Sequence, residues 1–243
     1  MELKFLGRGS AFNVEEGNTS AYYKSKNDML LIDCGSDVFK KIVKKHLLDN
    51  VYDLYIAITH SHPDHIGSLG DLIFYCYYVT RTRVHILTSD RYDFTEVVGR
   101  YLDSVGVYSY MFNYIDSVFV LGEYKYRIRF VECEHVNNIK SYSIIFKQKE
   151  TGDSLDVYTI YTGDTRSLLH LGEEMSNMLY TDYIYCECSY FDRYNMVHLN
   201  MFDSAYFWTD NQLLDKVYYM HFDCQEAINI CIESHTNVVE AEE

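Results

Sequence analysis

Apolar and polar positions along the chain separate into two rhythms. Short apolar runs bounded by turn residues read as strands. They cover residues 3–6, closed by a glycine turn at Gly7 and Gly9, then 20–24, then 29–34 up to Gly35. Within 38–48 the apolar residues Phe39, Ile42, Val43, Leu47 and Leu48 recur at helical spacing. An apolar strand over 54–59 delivers the chain to His60, a helix begins near Ser68, residues 84–88 read as a strand and 94–105 as a helix. Alternation over 118–134 predicts a hairpin, and strands over 141–146 and 157–161 are joined by a turn at Gly152 and Asp153. Further short strands fall at 182–186 and 217–220, with helices over 201–214 and 225–233. Strands cluster first and then alternate with helices, which predicts two packed sheets flanked by helices, an α/β sandwich. With one proline, Pro63, and no Gly/Ser-rich linker, repeat or low-complexity tract, residues 1–243 are expected to form a single domain.

The strand over 54–59 ends in Ile58-Thr59-His60-Ser61-His62-Pro63-Asp64-His65. A lone histidine is more often a core or surface residue than a ligand, but here three histidines and an aspartate crowd one strand end. Two residues apart in extended chain, His60 and His62 point the same way. Pro63 biases His62 toward the extended region, which preserves that alternation. Asp64 and His65 then face elsewhere and can serve a second ion. Imidazole and carboxylate suit zinc and similar first-row metals. Two ions need more ligands than one segment offers, and other strand ends supply them: His135 after the apolar stretch 128–133, Asp164 in Tyr161-Thr162-Gly163-Asp164-Thr165, and His221 after 217–220.

Charge and composition narrow the partners. The net charge of −15 argues against a surface that grips long nucleic acid. A small anionic substrate stays compatible, because bound cations dominate the local field. The seven cysteines, scattered and without a CxxC pair, read as reduced thiols of a cytosolic protein. No apolar run is long enough to span a membrane, and none resembles a signal peptide.

The pattern His-Ser-His-Pro-Asp-His-Ile-Gly at 60–67, followed by His135, Gly163-Asp164-Thr165 and His221, resembles the metallo-β-lactamase superfamily over nearly the whole chain. That resemblance implies an α/β, αββα sandwich. It places one ion on His60, His62 and His135, a second on Asp64, His65 and His221, and Asp164 between them, with two Zn²⁺, or Mn²⁺, as the cofactors. Phe5-Leu6-Gly7-Arg8-Gly9-Ser10-Ala11, Gly17-Asn18-Thr19-Ser20 and Ile32-Asp33-Cys34-Gly35 are similar to the ribonuclease Z branch. That branch carries a His-Glu-Ala-Thr and a His-Ser-Thr motif; here Cys186-Glu187-Cys188-Ser189 and His198-Leu199-Asn200 keep only the Glu and the His. By this resemblance Glu187, His198 and Asp64 are the catalytic residues. Two ions about 3.5–4 Å apart activate water for attack on phosphorus. His198, charged beside Glu187, would then protonate an alkoxide leaving group. This chemistry favours a phosphodiester over a β-lactam or lactone.

Transfer-RNA-processing ribonuclease Z enzymes carry a long arm between the equivalents of His135 and Asp164. Only 28 residues separate the two here; they read as a plain hairpin with no basic patch. The chain looks most like the phage anti-Pycsar proteins. That resemblance implies hydrolysis of 3′,5′-cyclic nucleotides, cyclic CMP and cyclic UMP included, by a homodimer that blocks bacterial defence signalling in the host cytoplasm. The alternatives are a ribonuclease Z-like RNA 3′-processing endonuclease, and a lactonase or thioester hydrolase on the same metals. Tyr101, Tyr108, Tyr110 and Tyr114 are candidates for base stacking or a dimer contact, though ordinary core and surface packing is the better account of them.

Overall fold

The structure is a computed structural model that describes residues 1–88, 92–149, 156–175, 178, 180–194 and 196–242. The first half forms a six-stranded sheet in sequence order: β1 (Lys4–Gly7), β2 (Ser20–Ser25), β3 (Asp28–Ile32), β4 (Asp53–Ala57), β5 (Arg83–Leu87) and β6 (Asn113–Ile115). β1 to β3 pair antiparallel, and β3 to β6 parallel. The parallel strands are joined through α1 (Val38–Lys44), α2 (Pro63–Ile66), α3 (Leu69–Tyr75) and α4 (Tyr92–Ser104), as parallel pairing requires. The second half forms a seven-stranded sheet from β7 (Val118–Leu121), β8 (Tyr124–Cys133), β9 (Ser141–Lys149), β10 (Val157–Tyr161), β11 (Thr181–Glu187), β12 (Val217–Met220) and β13 (Asn237–Val238), also in sequence order. α5 (Leu169–Met175), α6 (Met201–Asp210) and α7 (Gln225–Glu233) connect its parallel strands.

Strand alternation divides the second sheet between two cores. Ile144, Phe146, Tyr161, Tyr185 and Met220 join one buried cluster with Leu30, Ile56 and Val84 of the first sheet. Their neighbours Ile145, Ile160, Ile184 and Tyr219 turn the other way and pack with Leu171, Trp208, Ala227 and Ile228 of α5–α7. The layers therefore run helix, sheet, sheet, helix, the expected αββα sandwich. The four-residue α2, β6, α5 and β13 were not expected from the apolar pattern. α1 stops earlier than the helical spacing suggests, because His46 turns left-handed at φ 54°. The turn expected at Gly152 and Asp153 lies outside the described residues.

Between His135 and Asp164, β9 and β10 pair antiparallel, as the hairpin reading expects, but cations gather beside them. Lys125, Arg127 and Arg129 alternate along the exposed face of β8. Lys147 of β9 pairs in register with Arg127. Lys147 and Arg129 are already matched by Asp156 and Glu174.

Candidate metal centre

The site lies where the strands of both sheets stop. β4 feeds His60 and His62, and the turn of α2 presents Asp64 and His65. β8, β10 and β12 lead to His135, Asp164 and His221. Backbone packing fixes the α2 turn. The Cys34 N–H donates to the His65 carbonyl at 2.7 Å, and the Ser68 N–H to the Cys34 carbonyl at 3.0 Å. Gly35 lies so close that a Cβ there would collide with the Asp64 carbonyl. Gly163, at φ 59°, makes the turn before Asp164, and a Cβ would meet the Tyr142 carbonyl at 2.8 Å. His221 is left-handed without being glycine, at φ 59°. That geometry costs about 1–3 kcal/mol and persists only where neighbours enforce it. Phe222, donating to the Arg8 carbonyl at 2.8 Å and accepting from Ser10 at 2.9 Å, does so.

All seven candidate ligands fall into two overlapping clusters, His60/His62/His135/Asp164 and Asp64/His65/Asp164/His221, each with its donor atoms within 4.8 Å of one another. Asp164 belongs to both. Its Oδ1 lies 3.3 Å from His65 Nε2 and 3.4 Å from His221 Nε2. Its Oδ2 lies 3.8 Å from His60 Nε2 and 3.9 Å from His135 Nε2. His65 Nε2, His221 Nε2 and Asp164 Oδ1 are buried without a hydrogen-bond partner, although such orphans are rare and costly. A cation held among them would satisfy all three, so the donor set fits a divalent metal.

The outward ring nitrogens are held in place, as metal-ligating imidazoles require. His65 Nδ1 lies 2.8 Å from Asp33 Oδ2. His135 Nδ1 donates to the Val197 carbonyl at 2.8 Å, and His60 Nδ1 lies 3.1 Å from the Thr59 hydroxyl. Burial holds His60 well below the usual histidine value and pushes His135 down to about 4, while burial also lowers His62. These three are therefore neutral and ready to ligate at pH 7. Burial would lower His65 too, but Asp164 and Asp33 outweigh it and raise it well above that value. Asp33 escaped the candidate set. Its partners in the turn, Thr59 (N–H to Oδ1, 2.7 Å) and His65, lie 26 and 32 residues downstream. The available signal was a carboxylate closing an apolar strand.

Glu187 and His198 come together beside the clusters. His198 Nδ1 lies 2.8 Å from Glu187 Oε2, and Asp164, Glu187, His198 and His221 form a third group of close donor atoms. Glu187 is fully buried; its Oε1 accepts from the Thr165 and Leu199 N–H groups. Burial alone would lower His198, but the Glu187 carboxylate holds it up to about 9. The tyrosines divide. Tyr101 donates to the Gly67 carbonyl at 3.0 Å and Tyr114 to the Thr95 carbonyl. Tyr108 and Tyr110 stack at 5.4 Å and stand exposed. All seven cysteines are free thiols, six of them buried. No helix among the described residues is long and apolar enough to cross a membrane.

Residues 1–97, which include His60, His62, Asp64 and His65, match the family model described as Anti-Pycsar protein Apyc1. The chain is 44% identical over 78 residues to the Anti-Pycsar protein Apyc1 of Bacillus phage 010DV004, covering 31% of this chain and 29% of that protein. It is 24% identical over 158 residues to the protein of the same description from Paenibacillus harenae, covering 61% and 65%. The matches thus span less than two thirds of these relatives' own length. Among solved structures, the metallo-β-lactamase fold protein YhfI from Bacillus subtilis superposes with a TM-score of 0.72 at 17% identity, covering 99% of this chain and 97% of that one. A likeness at that identity is one of fold.

Proposed function

From the premise that this chain has the metallo-β-lactamase fold and resembles the anti-Pycsar proteins through its first 97 residues, we propose that it is a metal-dependent phosphodiesterase. Its substrates are 3′,5′-cyclic nucleotides, cyclic CMP and cyclic UMP among them, and its products nucleoside monophosphates. His60, His62 and His135 would hold one ion and Asp64, His65 and His221 the other, with Asp164, a member of both clusters, available to each. Zinc suits this donor set, with manganese as the alternative. Such ions, when bound, lower the pKa of a coordinated water and neutralise charge on the phosphoryl oxygens.

The observation that carries the reading is the Glu187–His198 hydrogen bond at 2.8 Å, beside the ligands. Lactone or thioester opening has no need of it. Ring opening of a cyclic phosphodiester expels a sugar alkoxide, a poor leaving group that needs a proton. His198 keeps its proton because Glu187 faces Nδ1, and its side chain is 28% exposed, open to a substrate. Glu187 in turn stays fixed by the backbone N–H groups of Thr165 and Leu199. An RNA 3′-processing reading has one observation in favour, the strip of Lys125, Arg127, Arg129 and Lys147 beside the hairpin. Two of those four are already neutralised, and the whole chain carries −15. The homodimer and the setting in a host cytoplasm follow from the same resemblance, and light scattering of the purified protein reads the first directly.

The test is chromatographic product analysis of zinc-loaded protein with cyclic AMP, GMP, CMP and UMP, beside a precursor transfer RNA. Wild type yields linear monophosphates, and both His62→Ala and His198→Ala lose about 10²-fold or more of that rate. Cleaved transfer RNA with intact cyclic nucleotides transfers the assignment to RNA processing. Inertness toward both, with turnover of a lactone, overturns the phosphodiesterase reading.

A further inference from the structure

The loop between β11 and α6 touches the site twice and is organised by two aspartates that no step above uses. Asp223, two residues beyond His221, accepts from the Ser189 hydroxyl at 2.7 Å and from the N–H groups of Tyr190 and Phe191 at 3.0 and 2.8 Å. The Ser189 oxygen accepts in turn from the Asp192 N–H at 2.9 Å. The Asp192 carboxylate then gathers three successive N–H groups: Met196 at 2.9 Å on Oδ1, and Val197 and His198 at 2.7 and 2.8 Å on Oδ2. Three donors on one carboxylate fix the backbone of three residues, in the way an Asx turn fixes one.

The last two of those residues reach the site. The Val197 carbonyl accepts from His135 Nδ1 at 2.8 Å, which directs the other ring nitrogen at the ligand cluster. His198 places its imidazole on Glu187. Asp192 itself touches no candidate ligand side chain. We propose that Asp192 is a positioning residue, which through residues 196–198 sets the acid His198 and the ligand His135 together. The part concerning His198 rests on the phosphodiesterase reading; the part concerning His135 needs only the metal.

The test compares Asp192→Ala, Asp192→Asn and His198→Ala with wild type. Metal affinity, read without substrate by competition with a chromophoric chelator, is expected to fall about 10-fold in Asp192→Ala and less in Asp192→Asn, which keeps one acceptor. At saturating zinc, kcat on cyclic CMP is expected to fall about 10²-fold in Asp192→Ala at nearly unchanged KM. On bis(p-nitrophenyl) phosphate, whose leaving group departs without a proton, it falls far less, and the asparagine partly restores both readouts. A folded Asp192→Ala with wild-type affinity and a wild-type ratio of the two rates overturns the inference. So does an equal loss on both substrates at unchanged affinity, which marks a merely structural residue. If His198→Ala leaves that ratio unchanged, the acid reading fails on its own, and the affinity alone decides whether Asp192 positions His135.

Discussion

Asp164 carries one oxygen toward each ligand cluster, so changing a single oxygen separates the two sites. In Asp164→Asn one end of the side chain becomes an NH₂ donor that cannot ligate. Metal analysis is expected to show less metal than wild type, for which the proposed reading gives two equivalents, with activity down at least about 10²-fold; an unchanged metal content would count against a shared carboxylate. His170, which is in neither ligand cluster, packs its Nε2 2.7 Å from the Ser143 hydroxyl, and burial pushes its pKa down to about 4. Between pH 6.5 and 4 the unfolded chain takes up a proton that the folded one refuses, so stability falls as pH falls through that window. His170→Gln lacks this proton uptake, so its melting temperature should decline less steeply than wild type from pH 7 to 4.5; parallel declines would contradict the assignment. Asp33 and Asp192 show why some site residues were hidden in the sequence. Each acts on backbone or on a ring already singled out, and a carboxylate's partners are not written beside it.

At the scale of elements, the α2 turn depends on the contact of Gly35 with the Asp64 backbone. Gly35→Ala inserts a methyl group where only backbone fits. It should cost about 1–3 kcal/mol and lower metal occupancy more than Gly172→Ala, whose Cβ meets nothing within 4 Å. Equal occupancy in the two variants would mean that the turn tolerates displacement. The elements legible in the sequence were those with their own periodicity: the strands leading to His60, Asp164 and His221, and the amphipathic α4, α6 and α7. Those missed take their form from neighbours. β6 has three residues and β13 two, each recruited by an existing sheet edge. α2 is a single turn after Pro63. The candidate ligands stood out because histidines and aspartates sit at strand ends, while the place of Asp164 between the two groups came from the family resemblance alone, since nothing beside Asp164 in the sequence names its neighbours.

At the scale of the molecule, both sheets contribute candidate ligands, so metal binding should tie their ends together. At a free metal concentration of about 100 Kd a bound ion adds about 2.7 kcal/mol, or roughly 5–10 °C in melting temperature for a chain this long. A chelator should remove that increment, and zinc should restore it in wild type but not in His62→Ala. The division of ligands between halves also has a history in time. His135 lies 73 residues after His62, and His221 follows later still. At about 5–20 residues per second, the ribosome exposes three histidines and an aspartate several seconds before their partners exist. During that interval the nascent segment is an open, half-built chelator, and such sites rank metals by intrinsic affinity and supply rather than by geometry. The ion that the folded sandwich encloses would then record the metals present when the chain was made, and protein expressed in zinc-rich and in manganese-rich media would differ in content while being identical in sequence.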